Sequence, residues 1–194
     1  MLSTAAILAP RTLSDRLVRP GILSGALLVV GGALFTALLA QVSIPLPFTP
    51  VPVTLQTFAV LTTGAALGSR KGALSLLVYA LAGMAGAPVF AGGTSGAATV
   101  LGPLGGYLIG FVVAAYLVGL LAERSWDRGS RVILAMVIGE LAIYAIAVPW
   151  LGMYLGMVKA VTLGFLPFVI GDTLKLLVAS GVLPLTWKLV GRTR

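Results

Sequence analysis

The 194-residue chain contains no cysteine and no histidine. Without cysteine it forms no disulfide and offers no thiolate ligand. Without histidine the usual zinc sets, Ser-His-Asp triads and imidazole proton relays are excluded. Charge is scarce too, with 9% Asp, Glu, Lys and Arg against 59% hydrophobic residues. Asparagine is missing, so any side-chain amide in a binding site comes from Gln41 or Gln56. The stretch GSRKGALS lacks the Gly-Lys-Ser/Thr order of a phosphate-binding loop, so the chain is not expected to hydrolyse ATP itself. Enzyme readings lose most of their parts, and neither a metal nor a cofactor is expected.

What is present suits lipid. The mean hydropathy of +1.09 marks an integral membrane protein. A formal net charge of +8 would suggest nucleic acid in a soluble domain. Here, however, the basic residues lie scattered in short segments between apolar runs, so they read as topology signals and no nucleic-acid partner is expected. Pro10, Arg11, Asp15, Arg16 and Arg19 precede the first apolar run, an order unlike a cleaved signal peptide, and that run is expected to stay in the mature protein.

Apolar runs fall at about 21–42, 54–69, 72–88, 104–122, 132–155 and 163–190. A helix needs about 20 residues to cross the hydrocarbon core, so these predict an all-α bundle of six transmembrane helices, with the second and third short. Lys and Arg gather on the cytoplasmic side of short loops. With the N-terminus inside, the inner segments hold every basic residue except Lys159 and Lys175. Both termini are then cytoplasmic: an N-terminal segment at 1–20, a membrane domain at 21–190 and a tail at 191–194. The expected setting is a prokaryotic inner or plasma membrane, with the bilayer as a partner.

The outer loops at 43–53 and 89–103 carry no charge. Pro45, Pro47, Pro50 and Pro52 make the first stiff and non-helical. The second is rich in glycine, including Gly92 and Gly93, which allows tight turns and close approach of backbone. Such loops are predicted to fold back over the mouth of the bundle, where protein or a cavity covers them.

In LPFVIGDTLKLLVASGVLPL the acidic Asp172 and basic Lys175 interrupt an apolar run. Counted from Pro167 they lie about 7 and 12 Å into the helix. Three residues apart, they share one helix face and face the bundle interior or a wet cavity, because charge in lipid costs a few kcal/mol or more. Two readings stand: an ion pair that locks the last helix, or the polar floor of a ligand site. Asp172 offers acceptors and Lys175 donors, which suits a ligand bearing both N–H groups and a carbonyl or carboxylate. Glu140 is a third ionisable residue within a span, placed nearer the cytoplasmic half; a partner of the last helix, a proton and another subunit are its alternatives. Phe48, Phe90, Trp150, Tyr154 and Phe168 stand at outer ends as interfacial anchors. The deeper Tyr79 and Tyr144 suit an apolar pocket wall, and Gln41 and Gln56 can supply amide hydrogen bonds. Ala33 and Ala37, four apart and followed by Ala40, form a small-residue stripe that serves either packing within the bundle or docking of a partner.

Five stretches together resemble the BioY family, the biotin-binding S components of energy-coupling factor transporters. They are IPLPFTPVPVTLQTFAVLTTGAALGSRKG at 44–72, AGMAGAPVFAGGTSG at 82–96, LGPLGGYLIGF at 101–111, IYAIAVPWL at 143–151 and LPFVIGDTLK at 166–175. The resemblance implies biotin held near the outer face, under the first loop and the loop between the third and fourth helices. It matches Asp172 to a carboxylate that accepts from the ureido N–H groups and Lys175 to an ammonium that donates to a ligand oxygen. Gln56, Tyr79, Phe90, Gly92, Gly93 and Tyr144 complete the implied site. The Ala33 to Ala37 stripe matches the family's docking face for a transmembrane coupling subunit, which works with two ABC-type ATPases. Leu104 and Glu140 depart from the family pattern.

Two other classes compete with biotin uptake. A proton-coupled secondary carrier using Glu140 and Asp172 predicts uptake abolished by an uncoupler. A scaffolding membrane subunit predicts no saturable ligand binding.

Overall fold

The computed structural model describes residues 12–192; the expected segments at 1–20 and 191–194 therefore fall partly outside the described residues. Helix α1 (Leu13–Leu17) opens with Thr12 accepting from the Asp15 backbone amide, and buries Leu13 against the bundle, so this part of the expected N-terminal segment belongs to the folded body. Helix α2 (Ile22–Ala40) follows. A two-stranded hairpin, β1 (Ser43–Ile44) paired antiparallel with β2 (Val53–Thr54), closes the proline-rich loop in the register Ser43 opposite Thr54. Then come α3 (Gln56–Leu67), α4 (Ser69–Met84), α5 (Ala97–Leu101), α6 (Gly105–Glu123), α7 (Arg131–Leu155), α8 (Met157–Gly164) and α9 (Val169–Arg192).

Each of the six expected runs holds a helix, with shifted limits. Among the described residues four segments are long and apolar enough to cross a membrane: Ile22–Ala40, Gly105–Glu123, Arg131–Leu155 and Met157–Val190. Helices α3 and α4 have 12 and 16 residues, short of a full crossing. Gly68 alone separates them, at φ +84°, a left-handed conformation that glycine adopts without strain. Its amide donates to Gly64 O at 2.9 Å, and Glu123 Oε1 accepts from Ser69 N at 2.8 Å and Ser69 Oγ at 2.7 Å, which caps the start of α4. Arg70 and Lys71, expected in a loop, thus lie in the first turn of α4. The run at 163–190 divides likewise: a 3-10 turn at Leu166–Phe168 separates α8 from α9.

Helix α6 forms the centre, with 61% of its span buried against 17% for α2. Close approach there depends on small residues. A Cβ on Gly64 would meet Ala115 O at 2.5 Å, one on Gly119 would meet Ser69 N at 2.3 Å, and one on Gly110 would meet Ile143 Cα at 3.0 Å. Helices α3, α4 and α7 therefore seat directly on the α6 backbone. The outward faces of α2 and α9 are apolar, with Leu27, Leu38, Ile170 and Leu174 exposed, as lipid contact requires.

The uncharged loops cover the hairpin end of the bundle and are tied to it. Thr49 Oγ1 donates to Leu163 O at 2.8 Å, joining the proline-rich loop to α8. Gln41 Nε2 reaches Val89 O and Phe90 O, each at 3.4 Å, and Trp150 Nε1 donates to Gly102 O at 2.9 Å. At the opposite end Asp127, 1% exposed, accepts from Trp187 Nε1, while Arg128 stacks over the Trp187 ring at 3.7 Å and pairs with Asp127 Oδ1 at 3.6 Å. Burial pushes the Asp127 carboxyl up from its ordinary value.

Candidate ligand-binding site

Beneath the hairpin lies a cavity of about 610 Å³, counted to its mouth, where the first turns of α3 and α9 meet α6 and α7. Val51, Pro52, Leu104, Leu108, Phe111 and Phe168 make most of the wall apolar. Its polar groups are few and concentrated at Asp172.

Asp172 stands in the first turn of α9, where the helix dipole favours a carboxylate. The helix begins at Val169 instead of at Pro167, which brings Asp172 and Lys175 nearer the helix end than counting along the sequence suggests. The Asp172 side chain is 5% exposed. Oδ1 accepts from Lys175 Nζ at 2.8 Å and from Thr57 Oγ1 at 3.1 Å, and Oδ2 accepts from the Tyr144 hydroxyl. Lys175 Nζ also reaches Thr57 Oγ1 at 3.5 Å. Burying a carboxylate is costly unless opposite charge and donors compensate it. Here the next turn of α9 supplies Lys175, and two further helices, α3 and α7, supply Thr57 and Tyr144.

A second polar unit adjoins. Thr54 Oγ1 donates to Gln56 Oε1 at 3.0 Å, and Gln56 Nε2 donates to the Tyr79 hydroxyl at 2.6 Å. Tyr79 in turn packs edge to face with Phe90, their centroids 5.5 Å apart. On the other wall the Tyr144 ring stands edge-on to Phe165 at 4.8 Å and to Tyr107 at 6.4 Å, and the Tyr107 hydroxyl donates to Gly164 O at 2.5 Å.

Of the site residues named from sequence, Asp172, Lys175, Gln56, Phe90 and Tyr144 line the cavity. Tyr79 lies behind Gln56 and Phe90 and supports them. Gly92 and Gly93, both at positive φ, form the turn that brings Ala91 and Thr94 to the lining, without lining it themselves. Gln41 is engaged with backbone carbonyls of the roof. Ala33, 7% exposed, packs inward next to Gly32, whose Cβ would meet Ser75 Oγ at 2.6 Å, while Ala37 is half-buried at the edge of the core. Sequence reasoning missed Thr57, Tyr107, Phe111 and the cavity role of Phe168, which is 5% exposed. The one available signal was adjacency, since Thr57 follows Gln56 in the same first turn. Among the described residues no group of three Asp or Glu converges on a point that would hold a metal.

The chain matches the model of the BioY family over residues 12–192. It is 42% identical over 166 residues to the biotin transporter BioY of Thermotoga maritima, covering 85% of this chain and 91% of that one. It is 44% identical over 146 residues to a probable biotin transporter BioY of Pyrococcus horikoshii, covering 74% and 85%. Among solved structures it superposes with a TM-score of 0.76 on the S component for biotin of an ECF-type ABC transporter, at 24% identity over 86% of this chain and 92% of that one, a likeness of fold.

Proposed function

Since this chain belongs to the BioY family, we propose that it is a biotin-binding membrane subunit, the S component of an energy-coupling factor transporter. The observation that carries this reading is the buried Asp172, held by Lys175, Thr57 and Tyr144 at the floor of an otherwise apolar cavity. Biotin presents two ureido N–H donors beside a carbonyl, an apolar thiophane ring and an alkyl chain ending in a carboxylate. Asp172 accepts from the ureido N–H groups and Lys175 donates to a ligand oxygen, while Phe90, Leu108, Phe111 and Phe168 enclose the ring and chain. Gln56, fixed by Thr54 and Tyr79, orients the rim of the pocket.

The same reading sets the chain across a prokaryotic plasma membrane in six passes, with the hairpin end outward and both termini in the cytoplasm. Helices α3 and α4 are then the second and third passes, two short limbs that meet at Gly68 on the cytoplasmic side. Energy for uptake comes from a transmembrane coupling subunit with two ATPases, because the sequence carries no phosphate-binding loop. The deciding experiment is equilibrium binding of biotin to the purified chain with no ATPase present. One saturable site per chain is expected; a folded protein that binds no biotin sinks the proposal.

A further inference from the structure

Asp172 accepts from protein donors on both oxygens, with Oδ1 doubly engaged: Lys175 and Thr57 on Oδ1 and Tyr144 on Oδ2. A ligand N–H that binds the carboxylate competes with the Lys175 ammonium for Oδ1. A displaced ammonium needs a second acceptor, because an unpaired buried charge is costly.

Glu140 stands where that acceptor is needed. Helices α7 and α9 run antiparallel, since Tyr144 meets Asp172 near one end and Asp127, just before α7, meets Trp187 near the other. Stepping from Tyr144 back one turn to Glu140 therefore moves in the same direction as stepping from Asp172 on to Lys175, about 6 and 4.5 Å respectively. Glu140 and Lys175 come level on facing helices; Glu140 meets Asp172 through hydrogen bonding as well as charge, and Lys175 through charge. Its Oε1 is sealed from solvent and has no hydrogen-bond partner. Among the described residues no ion pair within 4.0 Å joins it to Lys175. Two carboxylates thus share one ammonium, and the ammonium sits on Asp172.

Resting on the biotin-binding reading, we propose that Glu140 is a positioning residue: when the ligand takes Asp172, the Lys175 ammonium turns to Glu140, leaving a further donor for a ligand oxygen. The arrangement lets Asp172 exchange one partner for another without stranding a charge.

The chain has two glutamates, Glu123 and Glu140, which makes the test direct. Protein labelled with 13C at the glutamate side-chain carboxyls is followed by difference infrared spectroscopy as biotin is added. Saturation is expected to shift one glutamate carboxylate band; Glu123→Gln leaves that change in place and Glu140→Gln removes it. In affinity, Glu140→Gln weakens biotin binding roughly tenfold. In a Lys175→Met background, with no ammonium to receive, the same change costs nothing, whereas a merely structural role costs equally in both backgrounds. No change in any glutamate band at biotin saturation, or an equal cost with and without Lys175, overturns the inference while biotin binding stands. If Glu140→Gln does not fold, the infrared result on Glu123→Gln, in which Glu140 is the remaining glutamate, decides alone. Absence of saturable biotin binding by the unmutated protein overturns the proposed function and this inference with it.

Discussion

Tyr144 on α7 donates its hydroxyl to Asp172 on α9, joining two long helices at the floor of the cavity. Thr57 donates to the other carboxylate oxygen from α3 at 3.1 Å. The carboxylate is thereby oriented before any ligand arrives. Tyr144→Phe and Thr57→Val each remove one donor to a buried charge and are expected to weaken biotin binding by about 1.5 kcal/mol, roughly tenfold, with the chain still folded. Titration calorimetry beside gel filtration checks both; parent-like affinity in both variants would mean that these contacts serve stability alone.

Substitution of the charged pair itself costs more. Asp172→Asn and Lys175→Ala each break a charged, buried hydrogen bond, worth about 1.5–3 kcal/mol, or roughly tenfold to more than a hundredfold in affinity. If both variants bind biotin like the parent, the pair is a helix lock and the ligand sits elsewhere.

Packing makes a separate demand at Gly64. A methyl there would overlap Ala115 O at 2.5 Å, on backbone that has little room to move. Gly64→Ala is expected to lower stability by about 1–3 kcal/mol. Gly25→Ala, on α2 with nothing within 4 Å of its Cβ, is the matched control and gains helix propensity. Thermal unfolding in detergent compares them, and equal midpoints would refute the close α3–α6 seating.

Asp127 gives a pH dependence of definite sign. Its carboxyl is raised by burial in the folded chain, so the folded state holds the proton more tightly than the unfolded state, where the value is about 3.9. Its contribution to stability is fully present below that unfolded value and is lost as pH rises through the folded one. Asp127→Asn keeps an oxygen for Trp187 Nε1 and removes the titration. The unfolding midpoint of the parent, relative to that of the variant, should therefore fall as pH rises from about 4 through the folded value; parallel profiles would show that Asp127 titrates alike folded and unfolded.

Orientation is open to a clean test because the chain has no cysteine. Lys159→Cys, exposed on α8, should react with a membrane-impermeant maleimide added to intact cells, and Ser130→Cys, exposed at the start of α7, only after permeabilisation. The reverse pattern would invert the proposed topology.

Much of this architecture was legible in the sequence, because two ionisable residues in an apolar run must face inward and uncharged, proline-rich loops must be covered. Asp172, Lys175 and the existence of a roof followed from those two constraints. That α3 and α4 are short was legible as well, whereas their junction at a single residue was not, since an apolar run gives no sign of where Gly68 turns the chain at positive φ. Nor was Thr57 or Phe168, because a threonine or phenylalanine in a greasy segment is ordinary until a carboxylate or cavity is placed against it. The stripe at Ala33 and Ala37 shows the limit most plainly: spacing says that a helix neighbour comes close, while only packing shows Ala33 covered within the chain and Ala37 left half-open.

The Thr49 bond to Leu163 ties together segments 114 residues apart, and Gln41 ties the second loop to the end of α2. The floor of the site and its cover consequently govern different quantities. How tightly a guest is held depends on the polar atoms around Asp172, whereas a change confined to the tethers of the roof would speed or slow entry and exit together and leave that equilibrium where it is.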